Sequence, residues 1–218
     1  MTGEDSRQEL VAGALRLLAL GLTAGLSGNL SLAAEDGILI TPSGMPYPKL
    51  VTDDLVWVAR DGSRVTGRRR PSVELGMHLA CYRADQRIGA VVHAHPTSVI
   101  ALAMLGEGLP CVTDSLAGAL GGGVPCLAYE PSASQALAEA VGAAAAAHPA
   151  MILASHGLVT TGPSLSAAID LALLVERTAD SYLRARAVGR PQELSAEIAA
   201  SRRRFVAERY GQDPGGRP

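Results

Sequence analysis

Residues 88–98 read IGAVVHAHPTS, and this stretch constrains the chain more than any other. A run of β-branched and small apolar residues is the pattern of a strand buried in a core, and Pro96, which lacks a backbone N–H, ends it directly after the second histidine. Side chains two apart on a strand point to the same face, so His93 and His95 share one side of a rigid platform. A lone histidine in a core is ordinarily just hydrogen-bonded. A pair at i and i+2 where a strand ends is placed to chelate one ion.

The rest of the chain has to cover such a strand. Its 218 residues, 48% hydrophobic and 18% charged, have the balance of a soluble globular protein with enough length for a real core. A formal net charge of -2 gives nucleic acid no electrostatic draw. Arg68–Arg69–Arg70 and Arg202–Arg203–Arg204 are short runs of solvated surface. Cys81, Cys111 and Cys126 are widely spaced, odd in number and without a C-x-x-C motif, as expected of a reducing cytoplasm. The N-terminus is acidic where a secretory leader would be basic. VAGALRLLALGL is interrupted by Arg16 and too short for a membrane span, so it reads as an amphipathic helix closed by Gly21, with no membrane partner expected.

Asp36–Gly37 and Asp61–Gly62 lie between apolar or alternating runs and signal hairpins. Ser72 reads as the N-cap of a helix with Leu75, His78, Leu79 and Tyr82 on one face and Glu74 in its first turn. The β-branched strand at 88–95 is followed by a helix through TSVIALAML, a loose segment at 110–129, a helix through SASQALAEAVGAAAAAH and a strand AMILAS. A long helix capped by Ser164 runs to about Val188, and a last one from about Leu194 to Glu208. Early hairpins and later strand–helix alternation indicate an α/β domain with a mixed sheet. With neither linker nor repeat, a single domain over 1–218 is expected, flexible at about 1–6 and 212–218.

His156 lies in ILASHGLVTTG, again where an apolar strand ends and just before a glycine. Strand ends are where α/β folds assemble their sites. Three imidazoles without a thiolate match the open coordination of catalytic zinc, whereas structural zinc usually closes with four ligands rich in cysteine. His148, beside Pro149 at a helix end, reads as surface. His78, one turn after Glu74 on the same face, reads as packing.

SGN at 27–29, ITPSGMPY at 40–47, PSVE at 71–74, HAH at 93–95 and SHG at 155–157 together resemble, in this order and at these separations, the class II aldolase/epimerase family of the L-fuculose-phosphate aldolase type. The resemblance runs from about residue 7 to Tyr210–Gly211. It implies a single α/β domain with a mainly antiparallel sheet flanked by helices, assembled as a homotetramer with sites between subunits. It also implies that His93, His95 and His156 bind Zn2+ or a similar divalent ion such as Mn2+ or Co2+. Glu74 becomes the acid/base residue, which also touches the metal in the empty site. Gly28, Asn29, Ser43, Gly44 and Ser72 fall at the phosphate positions, and Tyr210 matches a tail tyrosine that helps close the site. Asp114 stands where the aldolases carry a tyrosine reaching a neighbour's site, and related epimerases use an aspartate from that region, though not at a matching spacing. It is therefore a candidate acid/base, with a helix N-cap as the alternative.

The chemistry suits these residue types. Breaking a carbon–carbon bond beside a ketone leaves an enediolate, whose charge a chelated divalent cation stabilises while a carboxylate moves the proton. Gly-relaxed turns present backbone N–H groups to an anion. Two departures weaken the phosphate site: Val73 replaces a serine and Leu26 a hydroxyl residue. The leading expectation is a metal-dependent aldolase acting on a ketose or ketose phosphate. An epimerase working by retro-aldol cleavage and a metal-dependent decarboxylase are the alternatives, and a structural zinc module is the non-enzymatic one. Without a G-x-S-x-G motif, a hydrolase is disfavoured.

Overall fold

The structure, a computed structural model, describes residues 3–210. Its strands are β1 (Asn29–Ala34), β2 (Gly37–Ile40), β3 (Val56–Ala59), β4 (Val65–Thr66), β5 (Ala90–Ala94), β6 (Cys126–Leu127), β7 (Ala150–Leu153) and β8 (Gly157–Gly162). Its helices are α1 (Gly3–Ala19), α2 (Leu75–Ala84), α3 (Thr97–Leu105), α4 (Asp114–Leu120), α5 (Gln135–Ala145), α6 (Leu165–Val188) and α7 (Ala196–Arg209). The strands form one eight-stranded sheet in the order β4-β3-β2-β1-β5-β8-β7-β6. Every pairing is antiparallel except the parallel β6–β7 edge. This is the α/β class with a mixed sheet that the residue patterns indicate, mainly antiparallel as the family resemblance implies.

Strand alternation divides the apolar residues between two faces. Leu30, Leu32, Val92, Ile152 and Leu158 pack with Leu10 and Leu17 of α1, Leu102 of α3, and Ile169 and Val175 of α6. On the other face Ile38, Val91, Met151 and Val159 pack with Met77 and Tyr82 of α2 and with Leu137 and Val141 of α5. All five residues of β5 are buried, as a strand between two layers requires. His93 follows Val91 by two and so faces the α2–α5 layer.

The hairpin and helix signals translate into structure with small shifts. Ala34 pairs with Gly37, so the first turn is made by Glu35 and Asp36, one residue earlier than the Asp36–Gly37 signal, with Asp36 in the left-handed region at φ 53. β3 and β4 pair across the segment that holds Asp61–Gly62. Gly21 follows α1 at φ 69, and Ser134, Ser164 and Ser195 each cap the helix they precede. α1 already begins at Gly3, inside the stretch expected to be flexible, whereas 212–218 lie outside the described residues.

Two local readings change. Residues 110–129 are not uniformly loose: Thr113 accepts a hydrogen bond from the Leu116 N–H and starts α4, which packs on α7. α4 is seven residues long with glycines inside and after it, too short and too flexible a segment for periodicity to reveal. The helix after Ser72 begins at Leu75, so Glu74 occupies its N-cap position rather than its first turn. The cysteines are free, and among the described residues no helix is long and apolar enough to cross a membrane.

Candidate metal centre

Sheet register and two tight turns assemble the site. Asn29 opens β1 directly opposite His93 on β5, so the SGN motif lies against HAH. Gly28 has φ 81, and a Cβ there would stand 2.9 Å from the His93 carbonyl oxygen, so only glycine allows that approach. The His95 N–H donates to Leu22 O at 3.0 Å, and Glu176 of α6 accepts from the Ser98 and Val99 N–H groups at the start of α3. Together these bonds fix how the chain leaves the histidine strand. His156 lies in the β7–β8 turn, after Ser155 at φ 53. A Cβ on Gly157 would come within 2.6 Å of both the Ala94 oxygen and the His95 ring, so the glycine of SHG admits the third imidazole.

The three rings end with centroids 4.6, 4.8 and 5.4 Å apart, and one ligand atom from each lies within 4.8 Å of the others. His93 Nδ1 can only donate to the Leu158 carbonyl, 3.0 Å away, which leaves Nε2 as a bare lone pair. That lone pair faces Nε2 of His95 at 2.8 Å and Oε2 of Glu74 at 3.2 Å. Burial, only partly opposed by the Glu74 charge, pushes the His93 pKa down to about 3, so the ring is neutral at physiological pH. A lone pair set against a carboxylate oxygen asks for a cation between them. His156 places Nε2 3.3 Å from Glu74 Oε1, and its buried Nδ1 has no partner. Imidazole nitrogens with a carboxylate alongside, one ring anchored through its other nitrogen to a backbone carbonyl, fit a divalent ion with an open coordination position.

Glu74 is held from both sides. Asn29 Nδ2 donates to Oε2 at 2.8 Å and Ser132 Oγ to Oε1 at 2.9 Å. Burial works against its ionisation, but the hydrogen bonds from His156 and Asn29 and the nearby His93 outweigh it and keep the carboxyl well below the usual carboxylate range. Ser132 lies in the loop between β6 and α5, and nothing in the sequence marks it. His78 is fully buried and hydrogen-bonded at both ring nitrogens, more than the packing role read for it.

The remaining site residues divide into two groups. A Pro42–Pro71 bridge, with Ser72 N–H to Thr41 O at 3.1 Å and Ser43 N–H to Arg70 O at 3.1 Å, joins TPSG to PSVE. Ser43 and Gly44, the latter at φ 64, are exposed at this junction. Ser72 is buried and accepts the Glu74 N–H. The Asn29 amide, placed by sequence at the phosphate, donates to Glu74 and meets His78. Leu26 and Val73 are exposed beside these motifs. Asp114 is not brought to the histidines within the chain. It is the first residue of α4, whose N-cap is Thr113, and its Oδ2 stands 2.8 Å from Nε of Arg202, an ion pair whose N–H does not aim at the carboxylate. Tyr210, at the end of α7, is exposed.

Residues 8–183 match the family described as the Class II Aldolase and Adducin N-terminal domain. A 5-deoxy-D-ribulose 1-phosphate aldolase of Bacillus thuringiensis serovar kurstaki is 35% identical over 212 residues, covering 96% of this chain and 98% of the relative. The L-fuculose phosphate aldolase of Escherichia coli K12 is 34% identical over 184 residues, covering 84% and 85%. A solved structure of L-fuculose 1-phosphate aldolase superposes with a TM-score of 0.87 at 32% identity, covering 92% of this chain and 97% of that one.

Burial of His78 sets a pH dependence. Its pKa falls from an ordinary 6.5 to about 4 because burial disfavours the charged ring against the pull of Glu74. Between those values the unfolded chain takes up a proton that the folded chain refuses, so stability is complete above the unfolded pKa and declines as pH falls. Urea denaturation of metal-free protein at about pH 7 and about pH 4.5 should show a loss of on the order of 3 kcal/mol from this group. His78→Gln should flatten that dependence, and an equally steep loss in the variant would refute the assignment.

Proposed function

The chain belongs to the class II aldolase family and is a lyase, and we propose that it is a divalent-metal-dependent aldolase that cleaves or forms the carbon–carbon bond next to the carbonyl of a ketose phosphate. The observation that carries this reading is the convergence of the His93, His95 and His156 rings, with a bare His93 nitrogen facing an ionised Glu74. A divalent ion bound there, with zinc proposed and manganese or cobalt suited to the same donors, supplies Lewis acidity that polarises the ketose carbonyl and stabilises the negative charge left by cleavage. Glu74 moves the proton at the carbon that carries that charge, because its oxygens border the histidine cluster and its hydrogen bonds keep it ionised. The exposed Ser43–Gly44 turn and Ser72 bind the phosphate. The named relatives act on 5-deoxyribulose 1-phosphate and fuculose phosphate, which supports a ketose 1-phosphate as substrate.

Cleavage also requires a group to take the proton from the hydroxyl of the departing aldehyde. Asp114 and Tyr210 are the candidates, and neither bonds to the cluster of its own chain. We place them in the site of a neighbouring subunit of a homotetramer.

Alanine at His93 or His156 should lower bound metal below one ion per chain by elemental analysis. Glu74→Gln should keep the metal and the fold while losing on the order of 10²–10⁴ in kcat for stoichiometric aldehyde release. Full turnover by a folded Glu74→Gln protein would exclude the acid/base role. At the phosphate pocket, Val73→Ser restores a hydroxyl donor worth roughly 1.5–3 kcal/mol if charge-assisted, so kcat/KM for a ketose 1-phosphate should rise about ten- to hundredfold with no gain for the plain ketose. An unchanged ratio between the two substrates would show that Val73 does not border the phosphate. Light scattering should give a tetramer, and an active monomer would contradict the shared site.

A further inference from the structure

Beyond the groups that touch substrate, a buried file of polar side chains runs from Glu74 away from the metal cluster. Glu74 at the N-cap of α2 and His78 and Tyr82 within it follow one another at intervals of four, and Asn29 and Ser31 at an interval of two along β1. Four residues of helix advance about 6 Å and two residues of strand about 6.6 Å, so the two rows stay in step where α2 lies along β1. The side chains interleave. Asn29 Nδ2 meets Glu74 Oε2 at 2.8 Å, Asn29 Oδ1 meets His78 Nε2 at 2.5 Å, His78 Nδ1 meets Ser31 Oγ at 2.7 Å, and Ser31 Oγ meets Tyr82 OH at 2.9 Å. Ser31, His78 and Tyr82 are buried, so the file has no exchange with bulk water to blur it.

The direction of every bond in the file is determined. An ionised carboxylate only accepts, so the Asn29 NH2 group donates to Glu74 and its carbonyl oxygen is turned toward His78. That oxygen also only accepts, so His78 carries its proton on Nε2, and a neutral ring then leaves Nδ1 as an acceptor. Ser31 must spend its single hydroxyl proton on Nδ1, which obliges Tyr82 to donate to the Ser31 oxygen. Every donor therefore points toward Glu74, and each bond polarises the next. Burial that keeps His78 neutral, with its pKa near 4, agrees with this arrangement.

Resting on the aldolase reading, we infer that His78 is a positioning residue for Glu74: its Nε2–H locks the Asn29 amide so that the NH2 group, and not the carbonyl, faces the carboxylate. Without that donor the amide is free to turn, and an oxygen would then oppose the carboxylate and push it out of line with the histidine cluster. The amide carries no proton along the file, so the role is orientation of the acid/base group and not proton delivery.

The test compares His78→Leu, which deletes the file at its centre, with His78→Gln, which keeps a donor near the Nε2 position, and with Ser31→Ala, which leaves every group touching Glu74 in place. In metal-loaded enzyme assayed with a ketose 1-phosphate, His78→Leu should lose about ten- to hundredfold in kcat, the range typical of lost outer-shell support, with KM and bound metal unchanged. His78→Gln should recover most of that loss. NMR of 15N-histidine-labelled protein should show His78 in the Nε2–H tautomer in wild type and also in Ser31→Ala, because the Asn29 oxygen alone demands that proton. The Asn29 side-chain amide should be protected from solvent exchange in wild type and lose that protection in His78→Leu. Full kcat in folded His78→Leu, no recovery in His78→Gln, or an Nδ1–H tautomer in wild type would each overturn the inference. Absence of turnover in wild type would instead remove the aldolase reading, leaving the tautomer and amide-exchange measurements to decide whether the file exists as described.

Discussion

The pairing of Asn29 with His93 across β1 and β5 is the constraint on which the rest of the structure depends. It lays the turn of SGN against the carbonyl of the histidine strand and puts Asn29 on the same face as His93, under the start of α2. A slip of one residue in this register would turn His93 toward the opposite apolar layer and bury an imidazole among leucines and valines. The flanking Val91–Ser31 and Val92–Leu30 pairs oppose such a slip, because each side chain belongs to one face only. Hydrophobic alternation along β1 and β5 therefore fixes the chemistry of the site as well as the core.

Burying so many polar groups is tolerable because nearly all are paired. The exceptions are informative. At the histidine cluster the unpartnered His156 Nδ1 and a His93 Nε2 that meets His95 at 2.8 Å but also faces the Glu74 carboxylate at 3.2 Å are costs that an apolar core of the same shape would avoid. Backbone strain gathers at the same place: Ser155 takes a positive φ beside His156, and Ala133 does so beside Ser132. Strain and unmet polar demand beside one cluster are what a site shaped for a cation and a substrate would carry, and the surrounding layers of α2, α5 and the sheet hold it in place.

The proposed metal and acid/base groups and the proposed phosphate-binding residues, with Val73 and Leu26 beside them, sit on different parts of the fold. The histidines and the carboxylate proposed for the metal and acid/base roles come from β5, the β7–β8 turn and the N-cap of α2, elements pinned by backbone ladders and caps. Of the residues proposed to face the phosphate, Ser43 and Gly44 are exposed at the Pro42–Pro71 junction, as are Leu26 and Val73 beside it, and single side chains there can change without disturbing the core. Specificity can therefore vary at that junction while the centre remains intact.

The sequence by itself determined the α/β class, the helices with serine caps, the hairpins and the three histidines, because those signals are local: alternation along a strand, a cap before a helix, a glycine where a Cβ cannot fit. It also ordered the motifs that identify the family. Only the tertiary structure decided that Asn29 serves Glu74 and His78, that Ser132 holds the second carboxylate oxygen, that α4 is a helix, and that Asp114 pairs with Arg202 and stays away from the cluster of its own chain. These depend on contacts between residues far apart in the chain, and a side chain with several possible hydrogen-bond partners gives no local sign of which it will meet. The Glu74, His78, Tyr82 spacing was visible as a helix face. That it matches Asn29 and Ser31 became legible only when α2 was laid along β1, since two periodicities agree only in a particular packing.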